Sequence, residues 1–337
     1  LIVAGLVLRG VAQPWAALPL RPLILLAAAI GVSIGLSLFA GTIAVVLLRG
    51  RSERRRVEHW LWLGVIAAVA TGALYVLLAA SSRHQLLTTP HWNHAFRAMA
   101  VYGLLLPFVF AVSGRAVAGL LALRARNPVC DRAAWLLMSI ALPLLLLAQH
   151  PSAEPALQAA AEFTTAGALV LFTIGLRILE ASEPGRPTAE PRHRWFSWYV
   201  RSAYVWLLVA AALLAVSALE RLGARVVPLA GTPELHVLAV GFFTTLIVGV
   251  AARLLPLFEG RRRVWGSMLV PALILLQVAT ALRLIGAIDE APVILTSISG
   301  VTAVAGFVLG IVPSARLLVP HRQPLVLLES LPGREAS

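Results

Sequence analysis

Lysine is absent from the sequence, and cysteine occurs once, at Cys130. A single cysteine excludes an intrachain disulfide, a Cys-x-x-Cys-His haem attachment and any cysteine cluster, so a metal would have to be held by histidine. Charge is also scarce: 13% of the 337 residues are charged against 59% hydrophobic, and the mean hydropathy is +0.87. That balance lies far outside the range of a soluble domain and makes the bilayer the solvent of this chain. Also missing are a phosphate-binding glycine loop, a His-Glu-x-x-His helix and a nucleophile elbow, which leaves soluble-type nucleotide and hydrolase chemistry without support. The net charge of +13 comes from arginines set in short clusters between apolar runs. Such clusters are topology signals, and nucleic-acid binding is not expected.

What is present is a series of long apolar runs bounded by charge and proline, at 22–48, 60–80, 97–123, 133–149, 161–179, 203–221, 233–257, 264–285 and 292–319. Crossing a bilayer takes about 20 residues. The expected fold class is therefore all-α, a polytopic transmembrane helix bundle of about nine complete spans plus a truncated N-terminal one, whose tail is read in Leu1 to Leu8. Residues 1–337 form a single integral membrane domain, and Pro184, Gly185, Pro187 and Pro191 make 180–201 a linker between two groups of helices. A weak internal repeat relates 97–179 to 235–319: Gly103 to Arg115 (GLLLPFVFAVSGR) and Gly241 to Arg253 (GFFTTLIVGVAAR) share the leading glycine, a nearby valine and the final arginine. Chance likeness between apolar helices is the competing explanation.

Arginine placement sets an expected orientation. Alternate loops carry Arg49, Arg51 and Arg54 to Arg56, then Arg124, Arg126 and Arg132, then Arg186, Arg192, Arg194 and Arg201, then Arg261 to Arg263, then Arg316, Arg322 and Arg334. Positive residues stay on the cytoplasmic side, so the linker and the C-terminus are expected there. Five of the eight histidines, His84, His91, His94, His150 and His236, then fall on the outer side. His59, His193 and His321 fall among the inner arginines and read as solvated interfacial residues.

The third span opens Thr89-Pro90-His91-Trp92-Asn93-His94 and the seventh Thr232-Pro233-Glu234-Leu235-His236. In each, threonine suits an N-cap and proline the first helical position. His94 and His236 then lie roughly 5 to 6 Å below their helix starts, at matched depth, where two imidazoles could ligate one haem iron. His91, three residues before His94, shares nearly the same face, and His150 ends the fourth span at a similar level. Interfacial histidines beside an anchoring Trp92 are the plain alternative. Arg115 and Arg253 lie about 27 Å along their helices, near the inner boundary, where snorkelling to headgroups competes with pairing to a haem propionate. Among the carboxylates, Glu154, Glu162, Glu220, Glu234, Asp289 and Glu290 all lie near the outer face, with none at mid-span, which is unlike a proton pump.

The stretch from His236-Val-Leu-Ala-Val-Gly241 to Gly249-Val-Ala-Ala-Arg253 resembles the late signature helix of the NnrS family, and the Gly103 to Arg115 helix looks like another family segment. The resemblance implies a polytopic bacterial inner-membrane protein that carries haem, as haem b, and copper and is associated with nitric oxide stress and denitrification. It carries over most directly to His236. The family's early motif pairs two histidines after a tryptophan and ends in glutamate, whereas His91-Trp92-Asn93-His94-Ala95 has the order changed and lacks the acid; Phe258-Glu259-Gly260-Arg261 stands where the family continues Gly-His-Thr-Gly. Copper stays among the expected cofactors, with these departures falling on the residues that would complete its site. The expected partners are the lipid bilayer, a small gaseous ligand such as nitric oxide and further membrane proteins. The rival readings are a metal-free permease, which needs a broken helix lined by polar groups at the midplane, and a structural subunit of a respiratory complex.

Overall fold

In a computed structural model of the chain, residues 1–12, 20–50, 58–81, 90–181, 194–224, 231–258, 266–288 and 292–315 are described. Among them the architecture is all helical. A short helix α1 (Ile2–Ala12) is followed by α2 (Arg21–Arg49), α3 (Glu58–Ser81), and α4, which runs from Pro90 to Leu120. Then come α5 (Pro128–Leu147), α6 (Pro155–Leu176), α7 (Arg194–Arg221), α8 from Pro233 to Phe258, α9 (Gly266–Ile285) and α10 (Val293–Ala315). Helices α2 to α10 are the nine, among the described residues, that are long and apolar enough to cross a membrane. The protein is thus a multi-pass membrane protein. Helix α1 packs on α2, where Gly5 meets Ala28 and Val32 while Gly35 meets Ile2.

Apart from α4, whose start at Pro90 is legible in the sequence, three helices begin well before their apolar runs. Helix α5 begins at Pro128 because the Asn127 side chain accepts from the backbone N–H groups of Val129 (3.0 Å) and Cys130 (3.4 Å), an N-cap ahead of a first-position proline. Helix α6 begins at Pro155. Helix α7 begins at Arg194, inside the stretch read as linker, because Trp195, Phe196 and Tyr199 are buried against the bundle and carry the helix past its arginines. The Arg201 guanidinium donates to the Glu180 carbonyl at 3.0 Å. The remainder of that linker, including Pro184, Pro187 and Pro191, lies outside the described residues, as do most of the inner arginines of the later loops.

Among the described residues, two spans are not regular α-helices. In α4 a π-helical stretch covers Met99–Leu105 and a second Ser113–Val117; in α8 one covers Val237–Thr244. Gly103 and Gly241 each stand four residues into the first such stretch of their span, and each lets a neighbour approach closely. A methyl group at Gly103 would meet Ala67 of α3 and Leu142 of α5, and one at Gly241 would meet Trp206 of α7 and Thr280 of α9. Lipid tails are as apolar as leucine, so helices in a membrane associate through such close, small-residue packing and not through water exclusion. The core they enclose is aromatic. Phe110 stacks on Phe172 at 3.7 Å, Trp60 meets both edge-on, and Tyr204 meets Phe242 at 5.4 Å, linking α3, α4, α6, α7 and α8.

Candidate functional site

Helix α4 turns one stripe toward the bundle at its N-terminal end: His91, His94, Ala98 and Tyr102 follow at helical spacing, with Arg97 beside them. They line a cavity of about 440 Å³, within the ordinary size range of small-molecule sites. The α5–α6 connection closes it with His150 and Pro151, α6 adds Gln158 and Glu162, α7 adds Arg221, and the start of α8 adds Thr232, Glu234 and Leu235. Three of the five histidines singled out in the sequence therefore share one cavity. Their helical positions follow from the two prolines: His94 is the fifth residue of Pro90–Ala98 and His236 the fourth of Pro233–His236.

Electrostatics in the cavity is balanced by a bridge between spans. The Arg221 Nε donates to Glu162 Oε1 at 2.8 Å, and its Nη1 donates to Gln158 Oε1, which ties the end of α7 to α6. Arg97 and Glu234 add a guanidinium and a carboxyl group. The His150 Nδ1 lies 2.7 Å from the Ser152 hydroxyl and accepts from the Ser152 backbone N–H at 3.4 Å, which puts the proton of the neutral ring on Nε2. Tyr102 is 4% exposed, and its hydroxyl has no hydrogen-bond partner.

His236 does not line the cavity, although its neighbours Thr232, Glu234 and Leu235 do. Its Nδ1 lies 3.2 Å from the Thr232 carbonyl and its Nε2 lies 2.8 Å from Arg283 Nη2, on α9. A guanidinium only donates, so Nε2 accepts and the ring proton sits on Nδ1, donated to Thr232. Thr232 contributes that carbonyl; its side chain makes no capping hydrogen bond, in contrast to the N-cap role read from the sequence. His84 and Thr89 lie outside the described residues. Arg115 is exposed, and Arg253 has a buried Nε without a partner. Both stand near the other ends of α4 and α8, roughly 25 to 30 Å along the helix from the histidines, and the structure does not bring them to the cavity.

That other end holds a cluster the sequence did not suggest. Asp131, in the first turn of α5, is 5% exposed; it accepts from Trp60 Nε1 at 3.2 Å and from Arg126 Nη1 at 3.0 Å. His59 Nε2 approaches its second oxygen at 3.4 Å, and the His59 carbonyl accepts from Trp135 Nε1. His59 is thus packed between Trp60, Trp135 and a carboxylate, not solvated among arginines. Only the Asn127-Pro128 cap, which fixes where α5 starts, pointed toward a buried first turn.

The family model described as NnrS protein matches residues 1–322. The chain belongs to the NnrS family. No curated protein and no solved structure matches it. Membership makes it fair to ask whether the residues present suit the groups that the NnrS resemblance implies. For haem the donor set suits: the imidazoles of His91, His94 and His150 line one cavity and could ligate iron, and the same lining carries the cations Arg97 and Arg221. For copper it does not, since among the described residues no three His, Cys, Asp or Glu side chains form a group that could hold an ion.

Proposed function

We propose that this NnrS protein binds haem b in the histidine-lined cavity, at the outer face of a bacterial inner membrane, and takes part in the response to nitric oxide. The observation that carries the reading is the convergence of His91, His94 and His150, with Arg97 and Arg221, on one cavity at the end of the bundle where α4 and α8 begin. Haem held there would supply an iron that binds a small diatomic ligand in exchange for one of its histidines. His94 would hold the iron from α4. His236, whose neighbours Thr232, Glu234 and Leu235 line the cavity, would hold it from α8 if its Nε2 exchanged Arg283 for the iron, since the bond from Nδ1 to Thr232 leaves the lone pair on Nε2. The Arg221–Glu162–Gln158 bridge holds α6 and α7 together behind the site. Copper plays no part in this reading. Against the permease alternative, α4 and α8 stay helical throughout, and the mid-span hydroxyls of Thr244 and Thr245 donate to carbonyls of their own helix, Ala239 and Val240.

The test is the absorbance spectrum. Protein from haem-sufficient cells is expected to show a Soret band that His94→Ala and His236→Ala each remove for the most part, with membrane insertion and yield unchanged. Arg115→Gln, exposed and at the far end of α4, is expected to leave the band intact. Wild-type protein without a Soret band would end the haem reading.

A further inference from the structure

We propose that the Asp131 end of α4 and α5 is a headgroup site for one anionic phospholipid, held by Arg115, Arg124 and Arg132. Three contacts set its geometry. A methyl group at Gly114 of α4 would lie 2.7 Å from Arg126 Nη1, and the same nitrogen donates to Asp131 of α5 at 3.0 Å. Gly103 meets Leu142, eleven residues back along α4 and eleven onward along α5, so the two spans run antiparallel with Gly114 and Asp131 facing one guanidinium. In such a pair one helix is read toward the viewer and the other away. A step of one residue past the facing positions therefore turns both chains to the same side of the plane containing their axes. Arg115 and Arg132 take that step, and both are exposed. A step back reaches Ser113, which is buried, and Cys130, which packs on Gly175 of α6. One side of the pair is thus bundle, and the other carries two guanidinium groups. Arg124, exposed in the connection two residues before Arg126, adds a third within about 7 Å of chain.

Charge at this end is uneven. Asp131 engages Arg126, but among the described residues none of Arg115, Arg124 and Arg132 pairs with a carboxylate. Toward mid-span the same face is apolar. Val112 stands three residues before Arg115 and Leu136 four after Arg132, each on its arginine's face, and they are 52% and 53% exposed. Cations at the rim of an exposed apolar face match a phosphate headgroup followed by its acyl chains, and basic pockets between spans bind such headgroups. A topology signal needs only net charge on one side of the membrane. It does not require arginines of two spans to converge beside apolar side chains. Free phosphate would use the cations and leave Val112 and Leu136 without a role.

The test uses the full chain in a neutral detergent, with lipid retention read by native mass spectrometry. The wild type is expected to retain one dioleoyl phosphatidylglycerol and to lose dioleoyl phosphatidylcholine supplied at the same concentration. Arg115→Gln and Arg132→Gln are each expected to weaken phosphatidylglycerol binding roughly fivefold, and the double variant roughly thirtyfold. Both positions are exposed, so thermal midpoints stay at the wild-type value. Arg49→Gln removes the same charge from the exposed end of α2, at the same end of the bundle, and is expected to change nothing. Equal retention of the two lipids by the wild type, or unchanged binding in the double variant, overturns the proposal. Equal weakening by Arg49→Gln also overturns it, since net charge alone would then attract the lipid. Displacement of phosphatidylglycerol by an equal concentration of inorganic phosphate would assign the site to the free anion and overturn the lipid as its occupant.

Discussion

At the scale of single residues, the pairing of His236 with Arg283 decides what the histidine can do. Nε2 is the nitrogen free to bind a metal, and a guanidinium occupies it at 2.8 Å. Hydrogen bonds to charged groups contribute about 1.5 to 3 kcal/mol, so taking Arg283 away is expected to tighten haem binding roughly tenfold to hundredfold. Haem titration of Arg283→Gln measures this, and the gain should vanish in Arg283→Gln combined with His236→Ala. Unchanged affinity in Arg283→Gln would mean that His236 is no ligand. The sequence made His91, His94, His150 and His236 legible as a group at one level of the membrane, because level follows from counting residues after a helix start. It could not tell which of them face one cavity. That depends on the rotation of each span about its axis, and Arg283 lies 47 residues beyond the histidine it engages. Asp131 escaped for the same reason: its partners Trp60 and His59 belong to another span.

At the scale of helices, α4 and α8 share a construction. Each begins with proline, turns π-helical, and places a glycine four residues into that stretch, flanked by the preceding and following spans. The sequence repeat from Gly103 to Arg115 and from Gly241 to Arg253 falls on these helices, but apolar residues carry no mark of whether the backbone closes its bonds at four or five residues. The two glycines differ in what surrounds them. At Gly103 the nearest atom to an added methyl is the Met99 sulfur, at the far end of a flexible side chain, and one rigid contact, the Ala67 Cβ at 2.9 Å, lies behind it. At Gly241 it is the Trp206 ring, at 2.7 Å, and that indole is tied to Gln277 on α9. Gly241→Ala is therefore expected to destabilise by about 1 to 3 kcal/mol, and Gly103→Ala by less. Thermal melts in detergent compare them, and equal midpoints would show that the Trp206 side chain yields as easily as Met99. The number of spans was legible throughout, since length and hydropathy suffice; the early start of α7 was not, since Arg194 and Arg201 interrupt an apolar run that buried aromatics sustain.

At the scale of the whole molecule, the two ends of the bundle are chemically distinct: the histidine cavity lies at one and the Asp131–Arg126–His59 cluster at the other. By the arginine bias the cavity end is expected on the outside. In a Cys130→Ala background, which keeps the Cβ that packs against Gly175, a cysteine placed at exposed Ser152 is expected to react with an impermeant reagent on intact cells, and one at exposed Arg124 only after lysis. The reverse pattern would invert the protein. The π-helical stretches matter at this scale too. An α-helix advances about 100° per residue, so a stretch that fits extra residues into its turns acts as a phase shifter between the two halves of a span. In α4 it sets the azimuth of the His91–His94 stripe independently of the Arg115 end. A change of one residue between Met99 and Leu105 would leave the span long enough to cross while swinging its histidines out of register with the cavity, so the length of this segment is constrained more tightly than its composition.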